Sequence, residues 1–341
     1  MPPRERPPGF QASDFIRVRK LPYLAFFPDP PRLIPVMPFH SCNGKFETYL
    51  SWEGDELMVL RPLDMAGGKY VGENAAADTD ILLPLSTIVF QHFSTNHIMD
   101  RLREIEADFE NSLASIQKYF VILHHANTSS DFTDAAMMRS EIELAFTNHR
   151  SMYDQLNKMV AACVKLVFQS SRDLPSSFAD TLKKKDADLA SQHGLPLPLI
   201  EFYRALEPAF LLLRDVRDGI VHQGHSNESW IFNFTDGFAI DVERGFLARL
   251  APLKLWPHEV RRINNENLGS LLALFAYLVR DIIAVMRGAA EALASIQLPP
   301  SIASNHRIYL RSRLSMHARN ANEYLQRQWR EPAEILGGRP R

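Results

Sequence analysis

Cysteine is scarce: the 341 residues hold two, Cys42 and Cys163, enough for one bridge and too few for a zinc site of their own. A disulfide scaffold is thereby excluded, and a reducing, cytoplasmic setting is expected. Neither sign of charge dominates. Lys and Arg number 38 against 40 Asp and Glu, a net charge of −2, so no whole-molecule field draws the chain to nucleic acid or anionic lipid. A long uninterrupted apolar run is also lacking. The most apolar stretch, Leu268 to Ile296, carries Arg280, Asp281, Arg287 and Glu291, which a bilayer core penalises, so it reads as a buried helix and no membrane partner is expected. The opening MPPRERPPG has no apolar segment of the secretory type. Missing too are GxxxxGK[ST], GxGxxG after a strand, HExxH and GxSxG, which removes sequence support for NTP hydrolysis, dinucleotide binding, zincin and α/β-hydrolase chemistry. Neither cofactor nor metal is expected; His124-His125 has no carboxylate at ligand spacing and reads as a helix-end pair.

What is present is an ordinary folded composition, 46% hydrophobic and 23% charged, in a chain long enough for two domains. Ten of the 22 prolines precede Phe39, so residues 1–38 are expected as a proline-rich, extended and poorly hydrogen-bonded lead-in. Residues 39–95 form a small β-containing region. There Phe46, Thr48, Leu50 and Trp52 alternate with polar neighbours, Glu53-Gly54-Asp55 supplies a turn, and Leu57 to Leu60 returns, which predicts a hairpin. Gly67, Gly68 and Gly72 loosen the chain, and Ile81 to Phe90, broken by Pro84, suits strand or helix equally.

Residues 96–300 are read as a helical bundle. Ile98, Leu102, Ile105, Phe109, Ser112, Ile116, Tyr119 and Leu123 step by fours and threes along one stripe, and Met138, Ile142, Ala145, His149, Met152, Leu156, Met159, Cys163 and Leu166 repeat the pattern. Two such helices should pair as an antiparallel hairpin joined through Ala126 to Asp131. His149 in that seam reads as a core histidine. Phe168 to Pro198 is a less regular connection whose Lys183-Lys184-Lys185 reads as a solvated helix face. A third helix, about Leu199 to His222, should be kinked at Pro208 and closed by Gly224. A short β-hairpin is expected near 230–242 around Thr235-Asp236-Gly237. Its Trp230, Phe232 and Phe234 either pack into the core or stack on bases. A fourth helix, about Glu259 to Gln297, ends at Pro299-Pro300. Residues 301–341 carry eight Arg against three Glu, a basic tail expected to be helical. That tail either binds RNA electrostatically or docks on the acidic remainder through Ile308, Leu310, Leu314, Met316 and Leu325.

Chemistry concentrates at the end of the third helix. Phe210, Leu213, Arg217 and Ile220 are spaced 3-4-3, which sets Arg217 on or beside the buried stripe. Asp218 and His222 stand four residues apart on one face, with Arg214 a turn before Asp218 on the same row. Arg, Asp and His thus converge at one helix end.

Arg217-Asp218-Gly219-Ile220-Val221-His222 resembles the R-[D/N/H]-x-x-x-H motif of the HEPN superfamily, helical proteins many of which are endoribonucleases. The resemblance covers about residues 96–297. It implies a HEPN-like bundle of long antiparallel helices, a homodimer that joins two motifs into one site, and metal-independent RNA cleavage, in a defence or toxin-like role with a possible antitoxin partner. Residue by residue, it implies that Arg217 holds the scissile phosphate, His222 serves as general base or acid, and Asp218 orients it. Arg214 and His225 would be secondary RNA contacts. Imidazole suits the task because it takes and returns a proton near neutrality. The Tyr that some family toxins carry two residues after the histidine is Gly224 here, so regulation through its modification is not expected. The alternative is a non-catalytic helical binding or scaffold protein that retains the motif for dimer packing.

Overall fold

A computed structural model describes residues 24–28, 31–42, 45–51, 57–60, 69–72, 74–75, 78, 80–93, 96–129, 133–168, 172–223, 231–243, 245–257, 267–299, 307–310 and 314–326; within 24–60, and for 70–72, 96–97, 221–223 and 245–246, it describes backbone alone. The chain divides into two compact units, residues 1–94 with 300–316 and residues 95–299 with 317–341. Helices predominate, as expected of a mainly α protein.

The first unit is a seven-stranded antiparallel sheet of order β4-β3-β2-β1-β5-β10-β6. Its strands are β1 (Leu24–Pro28), β2 (Pro31–Cys42), β3 (Lys45–Ser51), β4 (Leu57–Leu60), β5 (Lys69–Gly72), β6 (Ile81–Leu82) and β10 (Arg307–Leu310). The β3–β4 hairpin pairs Thr48 with Leu60 and Ser51 with Leu57, while Trp52 and the Glu53-Gly54-Asp55 turn lie outside the described residues. Two expectations are corrected here. The lead-in over 1–38 is sheet from Leu24 onward, for the φ that proline fixes suits an extended strand as well as a coil. Pro28 and Pro31 close the β1–β2 ladder, and the β2–β3 register shifts between Met37 and His40, around Pro38. Residues 1–23 lie outside the described residues.

The second correction concerns 301–341, expected as a helical basic tail: residues 315–326 are indeed helix, but residues 307–310 belong to the sheet. Arg307–Leu310 is β10, hydrogen-bonded between β5 and β6 with Ile308, Tyr309 and Leu310 buried. The arginines masked a four-residue strand whose apolar side chains it shares with the sheet. Residues 327–341 lie outside the described residues. The ambiguous run 81–90 proves to be both elements in turn. β6 ends at Leu82, and Pro84 opens helix α1 (Pro84–His92) at a position that needs no N–H. Leu83 N–H donates to Ile308 O at 2.9 Å, and Ile308 N–H to Thr87 Oγ1 at 3.0 Å, which locks β10 onto the start of α1.

The second unit is built on α2 (Asn96–Thr128) and α3 (Thr133–Phe168). His125 meets Asp134, Lys118 meets Glu141 and Arg101 meets Gln155, the register of an antiparallel hairpin. The two stripes are its seam: every position from Ile98 to Tyr119 and from Met138 to Cys163 in the 4-3 pattern is buried. Leu166, at 49% exposure, falls past the end of the contact. The connection after α3 contains α4 (Phe178–Leu182) and α5 (Asp186–His193), the latter stopped by Gly194 at φ 64°, a left-handed cap that favours glycine. Lys183 to Lys185 is the turn between these helices and not a helix face. Arg204 holds that turn, donating to Leu182 O at 2.7 Å, to Lys184 O, and to Asp186 Oδ1 at 2.8 Å.

Helix α6 (Leu197–Gln223) runs unbroken through Pro208, and Gly224 lies outside the described residues. Strands β7 (Ile231–Phe234) and β8 (Gly237–Asp241) form the expected hairpin, and β9 (Leu268–Ser270) extends it to three strands. Tyr119 Oη accepts from Phe238 N–H at 2.9 Å and Asn127 donates to Thr235 O at 3.0 Å, tying the hairpin to α2. Its buried aromatic is Phe238; Phe232 and Phe234 are half-buried, and Trp230 lies outside the described residues. The fourth helix is α7 (Leu271–Ala294), which starts later than expected because residues 268–270 are strand and Ser270 caps the helix start; residues 258–266 lie outside the described residues. Helix α8 (Ser315–Gln326) carries His317, which bonds Gln117 at 2.8 Å and stacks on Phe120. Among the described residues no helix is long and apolar enough to cross a membrane.

Candidate functional site

The end of α6 buries one face and presents another. Phe210, Leu213, Val216 and Ile220 are in the core, which turns Arg214, Arg217 and Asp218 toward the boundary with solvent. Arg217, 26% exposed, donates from Nη1 to Oδ1 of the adjacent Asp218 at 3.0 Å. The other carboxylate oxygen, Oδ2, stands 3.9 Å from Nε of Arg214. Arg214 Nη2 lies 3.4 Å from Asp215 Oδ1, and Arg249 donates to the Asp215 carbonyl at 3.2 Å. Arg217 and Asp218 therefore form a partly exposed pair, neither sealed in the core nor open to solvent on every side.

A residue the motif did not include joins them. Arg150, on α3, stacks its guanidinium over the Phe210 ring at 4.8 Å and donates to Asp154 Oδ1 at 3.0 Å. Asp154 Oδ1 also accepts the backbone N–H of Phe178 at 2.8 Å. Burial lowers the pKa of Arg150; Asp154 and Asp218 oppose that shift, and Arg214 and Arg217 add to it. Three guanidiniums from two helices thus share one neighbourhood. The signal in the sequence was the i, i+4 pair Arg150–Asp154 on the flank of the α3 stripe, which reads like any surface pair until α6 is placed beside it.

Other expected residues divide clearly. His149, next to Arg150 but pointing inward at 2% exposure, bonds Asp281 Oδ2 at 2.8 Å, and Tyr153 donates to the same oxygen at 2.9 Å. Burial and Asp281 push the Tyr153 hydroxyl pKa well up, so this network is a satisfied core link between α3 and α7. His125 bonds Asp134 across the α2–α3 turn, a helix-end role, and His124 is exposed. Cys163 is a free, buried thiol whose pKa burial raises. The backbone at His222 is helical but its side chain, like all of His225, lies outside the described residues. Among the described residues no group of three or more His, Cys, Asp or Glu is placed to hold a metal. Comparison with known protein families, characterised proteins and solved structures returns no match.

Proposed function

We propose that this chain is a metal-independent endoribonuclease of HEPN type, working as a homodimer. The observation that carries the reading is the Arg217-to-His222 motif at the end of a long bundle helix, with Arg150 brought to it from α3. In the reaction, a ribose 2′-hydroxyl loses its proton to His222 as general base and its oxygen bonds to the adjacent phosphorus. The bond to the 5′-oxygen breaks, and that oxygen leaves with a proton from the partner copy's imidazole acting as general acid. Arg217, with Arg214 beside it, offsets the charge that builds on the phosphate oxygens. Asp218 orients His222, and His225 adds a secondary RNA contact. A defence or toxin-like setting, with an antitoxin as regulator, follows from the same resemblance.

A second reading is a non-catalytic helical scaffold that keeps the motif for packing. Specific observations favour it: Arg217 and Arg150 each have a carboxylate partner within the chain. Incubating purified protein with mixed RNA in EDTA separates the two. Cleavage that vanishes in His222→Ala and in Arg217→Ala, with the helical signal intact, is expected; intact RNA with wild-type protein overturns the enzyme in favour of the scaffold.

A further inference from the structure

We propose that Arg150, Arg214 and Arg217 form a seat for a phosphate group, and that in the ligand-free chain the carboxylate of Asp218 occupies it. Guanidinium forks accept carboxylate and phosphate by the same chemistry, parallel N–H donors meeting oxygens that share a negative charge. Asp218 meets them incompletely. One oxygen is bonded to Arg217 at 3.0 Å, but the other stays 3.9 Å from Nε of Arg214, beyond hydrogen-bond reach. That Nε is shielded from solvent and has no acceptor. A planar carboxylate tethered to α6 leaves the donor unused, whereas a tetrahedral phosphate offers more oxygens spread over a wider span.

The seat is held in advance of any ligand. Phe210 lies under the Arg150 guanidinium, and Asp154, itself fixed by the Phe178 N–H, holds its edge. Arg249, donating to the Asp215 carbonyl, adds a fourth cation to the same turn of α6. Asp218 is 44% exposed, so its side chain can swing outward without leaving a hole in the core. Once it does, Arg150, Arg214 and Arg217, with Arg249 on the same turn of α6, outnumber the carboxylates left near them, Asp154, Asp180 and Asp215, and the balance turns positive. The ligand class is a phosphate group, free or within a nucleic-acid backbone; only the RNA form rests on the ribonuclease reading above.

The test is calorimetric titration of the full chain at low salt with inorganic pyrophosphate and, separately, with a short single-stranded RNA. Wild type is compared with Asp218→Asn, Arg150→Gln and Arg214→Gln. Removing the competing carboxylate, a partly exposed partner, should tighten pyrophosphate binding by about three- to tenfold. Loss of either arginine should weaken it by about tenfold. Asp218→Asn binding no tighter than wild type, or both arginine variants binding like wild type while folded by circular dichroism, overturns the proposal. Pyrophosphate and RNA both bound without cleavage leaves the seat standing and the ribonuclease reading refuted. Pyrophosphate bound but RNA refused assigns the seat to free phosphate compounds.

Discussion

Asn157 has its whole amide inside the protein. Its Oδ1 accepts from the hydroxyls of Thr181 and Tyr203, each at 2.9 Å, and its Nδ2 donates to Pro175 O at 2.7 Å, so one side chain on α3 satisfies α4, α6 and the loop before them. Asn157→Ala strands those groups. Each stranded buried polar group costs about 1–3 kcal/mol, and Thr181 keeps its bond to Ser177 O, so a loss of about 2–4 kcal/mol is expected in urea unfolding. A midpoint unchanged from wild type would show that these groups find partners elsewhere. Asp108 works against stability. On α2, with Oδ2 buried and without an acceptable donor, its pKa is raised to about 6 by burial, Ser151 lowering it and Glu104 adding to the rise. The folded state therefore binds the proton more tightly than the unfolded chain, whose carboxyl titrates near the ordinary 3.8. Asp108's contribution to stability therefore falls as pH rises from about 4 to 6, and its penalty is complete above that window. Asp108→Asn should accordingly melt higher than wild type at pH 7 and lose that advantage near pH 4. Melts at the two pH values decide it.

Among the elements, β9 shows how a local pattern is overridden. The apolar arc from 268 onward has helical character, but Gly269 lies where a Cβ would come 2.5 Å from Trp256 Cδ1 and 2.6 Å from Val242 Cγ1. Trp256 also donates from Nε1 to Ser270 O at 3.0 Å, fixing the indole across the strand. Gly269→Ala should overpack this junction and cost about 1–3 kcal/mol, seen as a lower melting temperature with a shifted Trp fluorescence maximum. An unperturbed spectrum would mean the indole moves freely. The long helices were legible because their 4-3 stripes extend over many turns, and each turn repeats the same information. Short strands lack that redundancy: β10 is four residues, flanked by arginines and paired with segments more than 200 positions earlier, so nothing near it in sequence announces the pairing. The site was legible to the same extent. Arg217, Asp218 and Arg214 lie on one helix and could be aligned by counting; Arg150 comes from another helix, and only tertiary packing brings it there.

On the scale of the whole molecule, the chain passes between its two units at 94–95, at 299–300 and again at 316–317. A protein ended at Pro299 therefore loses β10 from between β5 and β6, not a dispensable tail. Such a truncation should abolish the protease resistance of the first unit while much of the helical signal survives, measured by limited proteolysis with circular dichroism. Retained resistance would mean that the sheet closes without β10. The same connectivity sets an order of events during synthesis. β5 and β6 leave the ribosome long before the strand that joins them, so their facing edges stay unpaired throughout translation of the helical unit, and the long-range pairing forms last. Through that interval the nascent chain carries two open sheet edges, the kind of surface that recruits other strands. The quality of a preparation should then depend on elongation rate and on chaperones that shield unpaired strands, even when the finished protein is stable.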